Sequence, residues 1–367
     1  MSDNNLANTY MKQAIKLAKK GVGLTDPNPC VGALVVKNNK IIGQGAHLKS
    51  GCEHAEVIAI KEAGEEARDA DLFITLEPCA HQGKTPPCTD LILRAGIKCV
   101  YIAIEDPNPL VLGKGIKVLK KHNIKVVVGF FEKEVREINR GFFFRMNYSR
   151  PFIYSKIAAS IDGKTSLKNG DSKWITSESS RKDVQNFRAK SSAIMTGVGT
   201  INNDNPSLTV RSRSPLMQPK RIILDSHLSI NQKAKILNQE NVYIFFGDDP
   251  NNQLPGLKKS RANFIQLDLI DNQVNIHSLI KHLNKLEINN LLVEAGPKLN
   301  GALLELSLID ELIIYSAPII LGGNARPMFN SPELKKMDAK INFLLSDTRV
   351  FGSDTRTIFR AVRDDLD

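Results

Sequence analysis

Five cysteines in 367 residues are too few and too unevenly placed for a disulfide-stapled secreted scaffold. No apolar run approaches the roughly 18 residues that cross a bilayer. The opening MSDNNLANTYMKQAIKLAKKG has neither the apolar centre nor the small-residue cleavage site of a secretory leader. Its Leu6, Tyr10, Ala14, Leu17 and Ala18 form a helical stripe instead. The second half has no Cys and no Gly-x-Gly-x-x-Gly, which removes the Rossmann dinucleotide fingerprint. A basic arm is also missing. The net charge of +11 is spread over the chain, with 22 basic against 16 acidic residues in 1–150 and 28 against 23 in 151–367. These absences point to a cytoplasmic protein with no membrane and no nucleic acid among its partners. The length gives a prior of two domains with ample material for two cores.

What is present in the first half alternates strand and helix. Val31–Val36 and Lys40–Gly43 flank Asn38-Asn39, a hairpin turn. A helix starts near Glu53, runs through Ala63 and stops at Gly64. Leu72–Leu76 reads as a buried strand, and Pro87 suits the first turn of a helix that Gly96 ends. Strands at 98–104 and 125–128 and helices from Gly115 and Glu132 continue the alternation, a sheet covered by helices. Cys30 and Cys99 sit in apolar contexts and read as core.

Within this frame, His54-Ala55-Glu56 precedes Pro78-Cys79 and Pro86-Pro87-Cys88. One imidazole and two thiolates make a three-ligand set for Zn²⁺, leaving the fourth tetrahedral position open for water. A carboxylate two residues from the His is placed to move protons on that water. His54 and Glu56 fall on the first turn of one helix and Cys88 on the first turn of another, where the helix dipole favours thiolate. Two plainer readings compete. The three side chains could be a buried imidazole and inert core thiols, or a closed structural site with Cys52 or His81 as fourth ligand. Cys52 lies awkwardly close to His54, and His81 is better placed to face substrate.

The His-x-Glu and Pro-Cys pattern is identified as the signature of zinc-dependent deaminases. The longer loop between the thiols, together with Thr25-Asp26-Pro27-Asn28-Pro29, Gly43-Gln44-Gly45-Ala46-His47, Glu77–Cys88 and Asp106-Pro107-Asn108-Pro109, resembles the deaminase half of the bifunctional riboflavin-biosynthesis deaminase/reductases. The resemblance implies Zn²⁺ on His54, Cys79 and Cys88, with Glu56 as the catalytic proton shuttle. It implies contacts to a phosphorylated pyrimidine substrate from Asn28, His47, Lys84, Asp106 and Asn108. Ala33, where Cys is frequent, and Cys52-Glu53, where Gly-Pro is common, depart from the pattern without touching the ligand set. Taken without the resemblance, Asn28 and Asn108 are turn formers between prolines.

The boundary is expected at 147/148, within Gly141–Pro151, where the Phe142-Phe143-Phe144 triplet is expected to pack between the halves. The second half is again α/β, and several strands end in polar or glycine-rich residues such as Thr196-Gly197-Val198-Gly199-Thr200, Asp225-Ser226 and Glu294-Ala295-Gly296-Pro297. Phosphate-bearing ligands bind at such strand exits in open α/β sheets. Lys156–Gly163, Ser172–Ser177, Asp204–Arg211 and Leu321-Gly322-Gly323 resemble the same family's reductase half, so the resemblance covers nearly the whole chain. It implies NADPH contacts from Ala158, Trp174, Thr200, Asp204, Ser226 and the run Gly296, Pro297, Lys298, Leu299, Asn300, Gly301 and Ala302. Substrate contacts follow from Ser172, Arg188, Leu208, Arg211 and Glu294. Asn205 stands where Asp is more usual, and Trp174 on residue type alone reads as core.

The fold so implied is a cytidine-deaminase-like α/β/α sandwich over 1–147, followed by a dihydrofolate-reductase-like α/β domain over 148–367. The function so implied is deamination of 2,5-diamino-6-(5-phosphoribosylamino)pyrimidin-4-one, then reduction of its ribosyl group to ribityl, by a homo-oligomer. A nucleic-acid-editing deaminase would require aromatic platforms and clustered Arg or Lys in the second half, which lacks both. A zinc-stabilised structural protein with a dead site is disfavoured by the intact Glu56.

Overall fold

The computed structural model describes residues 3–82, 86–211, 217–331 and 333–362. Their contacts divide the chain after Arg150, and each unit is built on its own sheet.

The first unit begins with α1 (Asp3–Ala18), β1 (Gly32–Lys37), β2 (Lys40–Ala46), α2 (Ala55–Ala63) and β3 (Asp71–Leu76). It continues with α3 (Cys88–Arg94), β4 (Cys99–Ile104), α4 (Lys114–Lys121), β5 (Lys125–Val128), α5 (Glu132–Ile138) and α6 (Arg140–Tyr148). The sheet order is β2-β1-β3-β4-β5, with an antiparallel start and parallel β3, β4 and β5. Asn38 and Asn39 both adopt positive φ at the β1–β2 turn, which Asn tolerates at little cost. Strand alternation splits the core in two. Leu72 and Ile74 pack with Ala59, Ile60 and Ile102 on one face, and Phe73 packs with Met11 and Ile15 on the other. Helices on both faces make an α/β/α sandwich. Cys30 and Cys99 are buried, and so are Tyr10, Ala14, Leu17 and Ala18 of the opening stripe.

Two local expectations shift. Helix α2 starts at Ala55 with His54 as its N-cap, two residues later than the sequence suggests. Phe142 and Phe143 are buried in the first unit's own core, and Phe144 lies against Tyr148 with the Arg150 guanidinium 4.4 Å from its ring centre.

The second unit opens with β6 (Phe152–Ser160), β7 (Lys164–Ser166), α7 (Glu178–Ala189), β8 (Ala193–Gly197), α8 (Val198–Asp204), β9 (Lys220–Leu224) and β10 (Val242–Phe246). A one-turn α9 (Leu254–Leu257), β11 (Asn263–Gln266) and the small hairpin of β12 (Leu269–Ile270) and β13 (Gln273–Val274) follow. Then come α10 (Ile276–Lys285), β14 (Asn290–Val293), α11 (Pro297–Glu305), β15 (Glu311–Ala317) and β16 (Arg326–Pro327), which pairs back with β7. The last elements are β17 (Phe343–Phe351) and β18 (Asp354–Ala361). The nine strands run in the order β11-β10-β9-β8-β14-β6-β15-β18-β17. All are parallel from β11 to β15, so the exits of β6, β8, β9 and β14 open on one side. Among the described residues no helix is long and apolar enough to cross a membrane.

Candidate active sites

In the first unit, two glycines set where helix α2 begins. A Cβ on Gly45 would lie 2.0 Å from the Ala55 carbonyl oxygen, and one on Gly43 would lie 2.1 Å from that of Ala59. Helix α2 therefore rests directly on β2, and its N-cap, His54, is held above the strand exits. Cys79 follows the end of β3, and Cys88 is the first residue of α3. The three meet: His54 Nδ1 is 3.1 Å from Cys88 Sγ and 3.8 Å from Cys79 Sγ, and the Cys88 backbone N–H donates to Cys79 Sγ at 3.4 Å.

Ligands of a tetrahedral zinc lie about 3.5 Å apart given ordinary Zn–S and Zn–N bonds, so the spacing fits. All three donor atoms lie within 4.8 Å of one another, and neither Cys52, which is exposed, nor His81 joins them among the described residues. Glu56, on the first turn of α2, is buried, and its Oε2 has no hydrogen-bond partner. An orphaned buried carboxylate oxygen beside an N,S,S donor set is what an open metal site with a proton shuttle requires. Burial raises the Glu56 carboxyl above the ordinary range, against the opposing pull of His54. The Cys79 thiol is lowered to about 4, first by its hydrogen bond with Cys88, which outweighs burial, and further by His54. That same bond raises Cys88.

The residues around this centre converge. His47 lies edge-on to His54, with ring centres 5.3 Å apart. Its Nδ1 is 3.0 Å from the Glu53 carbonyl, which only accepts, so Nδ1 carries the hydrogen and Nε2 accepts from Asn28 Nδ2 at 3.2 Å. Burial lowers the His47 pKa, consistent with that neutral form. Asp106 is buried and pushed up to about 7, by burial first, against the Asn108 N–H it accepts and with the charges of Glu77 and Cys79 adding to the rise. Asn108 spends its side-chain oxygen on the Leu110 N–H at 3.0 Å. Lys84 lies outside the described residues.

In the second unit, the strand exits line one cavity of about 1930 Å³. Ala158 reaches it from β6, Thr200 and Asp204 from α8, and Ser226 from the turn after β9. Trp174 also lines it and is 70% exposed, with the Arg181 guanidinium 4.4 Å from its ring centre, so the core reading of this Trp does not hold. The run after β14 divides. Gly296, Pro297, Lys298, Leu299 and Ala302 face the cavity. Asn300 instead accepts from Ser155 Oγ and donates to the Ala295 carbonyl, and a Cβ on Gly301 would meet the Asn330 carbonyl oxygen at 1.8 Å. Helix α11 begins at Pro297, so its first turn lines the cavity while Asn300 and Gly301 fall on its packed side.

Ser172, Arg188, Leu208, Arg211 and Glu294 complete the lining. Arg188 grips Glu294 through both carboxylate oxygens, at 2.6 and 3.0 Å, and donates to the Thr209 carbonyl at 3.0 Å. Lys156 Nζ stands 3.8 Å from Glu294, a cavity residue that sequence reasoning left without a role. Its signal was a lone Lys inside an apolar strand. Burial would raise the Glu294 carboxyl, but the Arg188 and Lys156 charges outweigh it and hold it at about 2. Asn205 closes α8 with φ of +44°, a conformation Asn tolerates, and accepts the Lys235 N–H at 2.9 Å.

Comparison with known proteins follows the same division. Residues 4–104 match the cytidine and deoxycytidylate deaminase zinc-binding region, and residues 151–357 match the RibD C-terminal domain. The chain is 45% identical to the riboflavin biosynthesis protein RibD of Buchnera aphidicola, over 95% of this chain and 97% of that one. It is 39% identical to Escherichia coli RibD, over 94% and 96%. Among solved structures, Acinetobacter baumannii RibD is similar at a TM-score of 0.90 and 40% identity, covering 98% of this chain and 99% of that one. A diaminohydroxyphosphoribosylaminopyrimidine deaminase/5-amino-6-(5-phosphoribosylamino)uracil reductase from Thermotoga maritima gives 0.86 and 35%, with 98% and 99% covered.

Fold and site together define a zinc-binding deaminase domain joined to a pyridine-nucleotide reductase domain. The chain belongs to the RibD family. It is a bifunctional deaminase and reductase of riboflavin biosynthesis that acts on a small substrate, with Zn²⁺ and NADPH as cofactors.

Proposed function

We propose that His54, Cys79 and Cys88 hold the zinc and that Glu56 is the proton shuttle for deamination of 2,5-diamino-6-(5-phosphoribosylamino)pyrimidin-4-one. The buried, partnerless Glu56 Oε2 beside the ligand triad carries this reading. Zn²⁺ bound there supplies Lewis acidity that makes water acidic near neutral pH. Glu56 takes the proton and returns protons to the ring nitrogen and the departing ammonia. Asn28, its amide turned by His47, together with Asp106 and Asn108 orients the pyrimidine and ribose phosphate, and Lys84 contacts the phosphate.

In the second unit the cavity takes NADPH and the deaminated product. NADPH held there would supply hydride for C1′ of the ring-opened ribosylamine, with a proton from solvent for its nitrogen, giving the ribitylamino chain. Ala158, Trp174, Thr200, Asp204, Ser226 and the cavity-facing residues of 296–302 hold the cofactor, while Asn300 and Gly301 support that turn from behind. Ser172, Leu208, Arg211 and Glu294 face substrate. Arg188 commits three of its five N–H donors to Glu294 and Thr209, leaving one on each terminal nitrogen for the phosphate.

We further propose a cytoplasmic homo-oligomer that does not bind nucleic acid. Edge strand β17 exposes Leu344, Leu345 and Val350 at 59, 66 and 72%, apolar edge surface that a second copy would cover. Sedimentation at the monomer mass at micromolar concentration would count against it.

The test of the site is Glu56→Gln in the zinc-loaded chain, following ammonia release and then NADPH oxidation at the wavelength of NADPH absorbance. Ammonia release is expected to fall by about 10³-fold or more, while oxidation of NADPH with the deaminated intermediate persists. Unchanged ammonia release would remove Glu56 from the chemistry. Chelation of zinc is expected to separate the two activities in the same way.

A further inference from the structure

Glu77 has no place in the chemistry above, yet it is 4% exposed and stands between the end of β3 and Cys79. Its carboxylate accepts backbone hydrogen bonds from a distant segment. Oε2 takes the Asp106 N–H at 3.3 Å and the Gly113 N–H at 2.9 Å, and Oε1 takes the Ile116 N–H at 3.2 Å. The Glu77 backbone N–H itself donates to the Ile104 carbonyl at 3.1 Å, just before the loop begins.

The loop it holds is a chain of local turns. Asp106 accepts the Asn108 N–H at 2.8 Å, the Asn108 side chain accepts from Leu110, and the Asn108 carbonyl accepts from Val111 and Leu112 at 2.8 and 2.9 Å. Such turns fix the loop's own shape and leave its distance from the metal ligands unset. That distance is set where Glu77 grips it and where α4 rests on the next residue. A Cβ on Gly115 would lie 2.0 Å from the Pro78 carbonyl oxygen.

We infer that Glu77 is a positioning residue for deamination, tying the loop of Asp106 and Asn108 to the strand exit that carries Cys79. The inference rests on the reading of that loop as a substrate contact. One carboxylate thus sets how far the ribose-phosphate contacts stand from the metal centre. A residue that only stabilised the first unit would change folding and zinc retention and leave KM alone.

The experiment uses the full zinc-loaded chain with the diaminopyrimidine ribosyl phosphate. Glu77→Gln keeps the shape but turns an NH₂ toward one of the loop's N–H groups. KM for ammonia release is expected to rise about tenfold, equivalent to about 1.4 kcal/mol, with kcat changed less than about threefold. Zinc stoichiometry, and NADPH oxidation with the deaminated intermediate supplied, should not change. Gly115→Ala displaces the same contact from the other side and should raise KM likewise, which keeps the test open if Glu77→Gln does not fold. Combined with Asn108→Ala, the KM effect of Glu77→Gln should shrink, because both act through one loop. Full additivity, or a fall in kcat at constant KM, overturns the inference. If Asn108→Ala alone leaves KM unchanged, the loop is no substrate contact and the inference falls with that reading.

Discussion

Replacing Glu294 by Gln separates charge from shape at the centre of the second unit. The wild-type carboxyl is held at about 2 against an ordinary 4.5, because the Arg188 fork and the Lys156 ammonium outweigh its burial. A carboxyl depressed in the folded state stabilises that state at every pH above its ordinary value, and the contribution is lost as pH falls through 4.5 toward 2. At about 1.4 kcal/mol per pH unit the whole contribution is about 3 kcal/mol, of which about half remains at pH 3. The Gln variant has no such carboxyl, and it leaves Arg188 and Lys156 without their counter-charge. At pH 7 it should be less stable than wild type by about 3 kcal/mol or more. That gap should narrow by about half at pH 3 and nearly close by pH 2. Urea unfolding followed by fluorescence reads this directly, since Trp174 is the single Trp and lines the cavity of this unit. A gap of equal size at pH 7 and pH 3 would refute the electrostatic account and reduce the Arg188–Glu294 pair to a matter of packing.

Two further substitutions test the scaffolding around each site. Gly45→Ala places a methyl group 2.0 Å from the Ala55 carbonyl oxygen; backbone must move, at a cost of about 1–3 kcal/mol. The N-cap His54 moves with it, so zinc affinity in competition with a chromophoric chelator should weaken at least about tenfold, and unchanged affinity would show that α2 is not set by this contact. Arg211→Lys keeps the charge but loses the planar fork, so KM for the deaminated intermediate should rise about tenfold while ammonia release is untouched. Equal KM in the two proteins would remove Arg211 from the proposed substrate contacts.

Legibility in the sequence followed the range of the interaction. His54, Glu56, Cys79 and Cys88 were readable because strand exits and helix starts place them, and those are local signals in the chain. The structure indeed puts His54 at a helix N-cap and Cys88 on a first helical turn. The same logic exposed the exits of β8, β9 and β14 as the walls of the second cavity. Non-local choices stayed hidden. That Phe142 and Phe143 turn into the first unit's core depends on which face of α6 meets α1, not on the triplet itself. Hairpin β17–β18 was missed because β17 leaves Leu344, Leu345 and Val350 exposed, which breaks the alternation of apolar and polar residues that marks a half-buried strand.

Glu77 shows why such residues escape reading from sequence. Nothing in Leu76-Glu77-Pro78-Cys79 distinguishes a carboxylate that holds backbone N–H groups 29 to 39 residues away from one that faces solvent. The distinction lies in the parallel pairing of β3 with β4, which brings Leu76 beside Ile104 and so carries Glu77 to the start of the Asp106 loop. Strand register thus connects Cys79 to the loop of Asp106 and Asn108. A substitution in β4 that slipped this register would move Asp106 and Asn108 relative to Cys79 with every side chain of the site intact. Precision at the zinc centre is therefore a property of the sheet as much as of the four residues that the motif names.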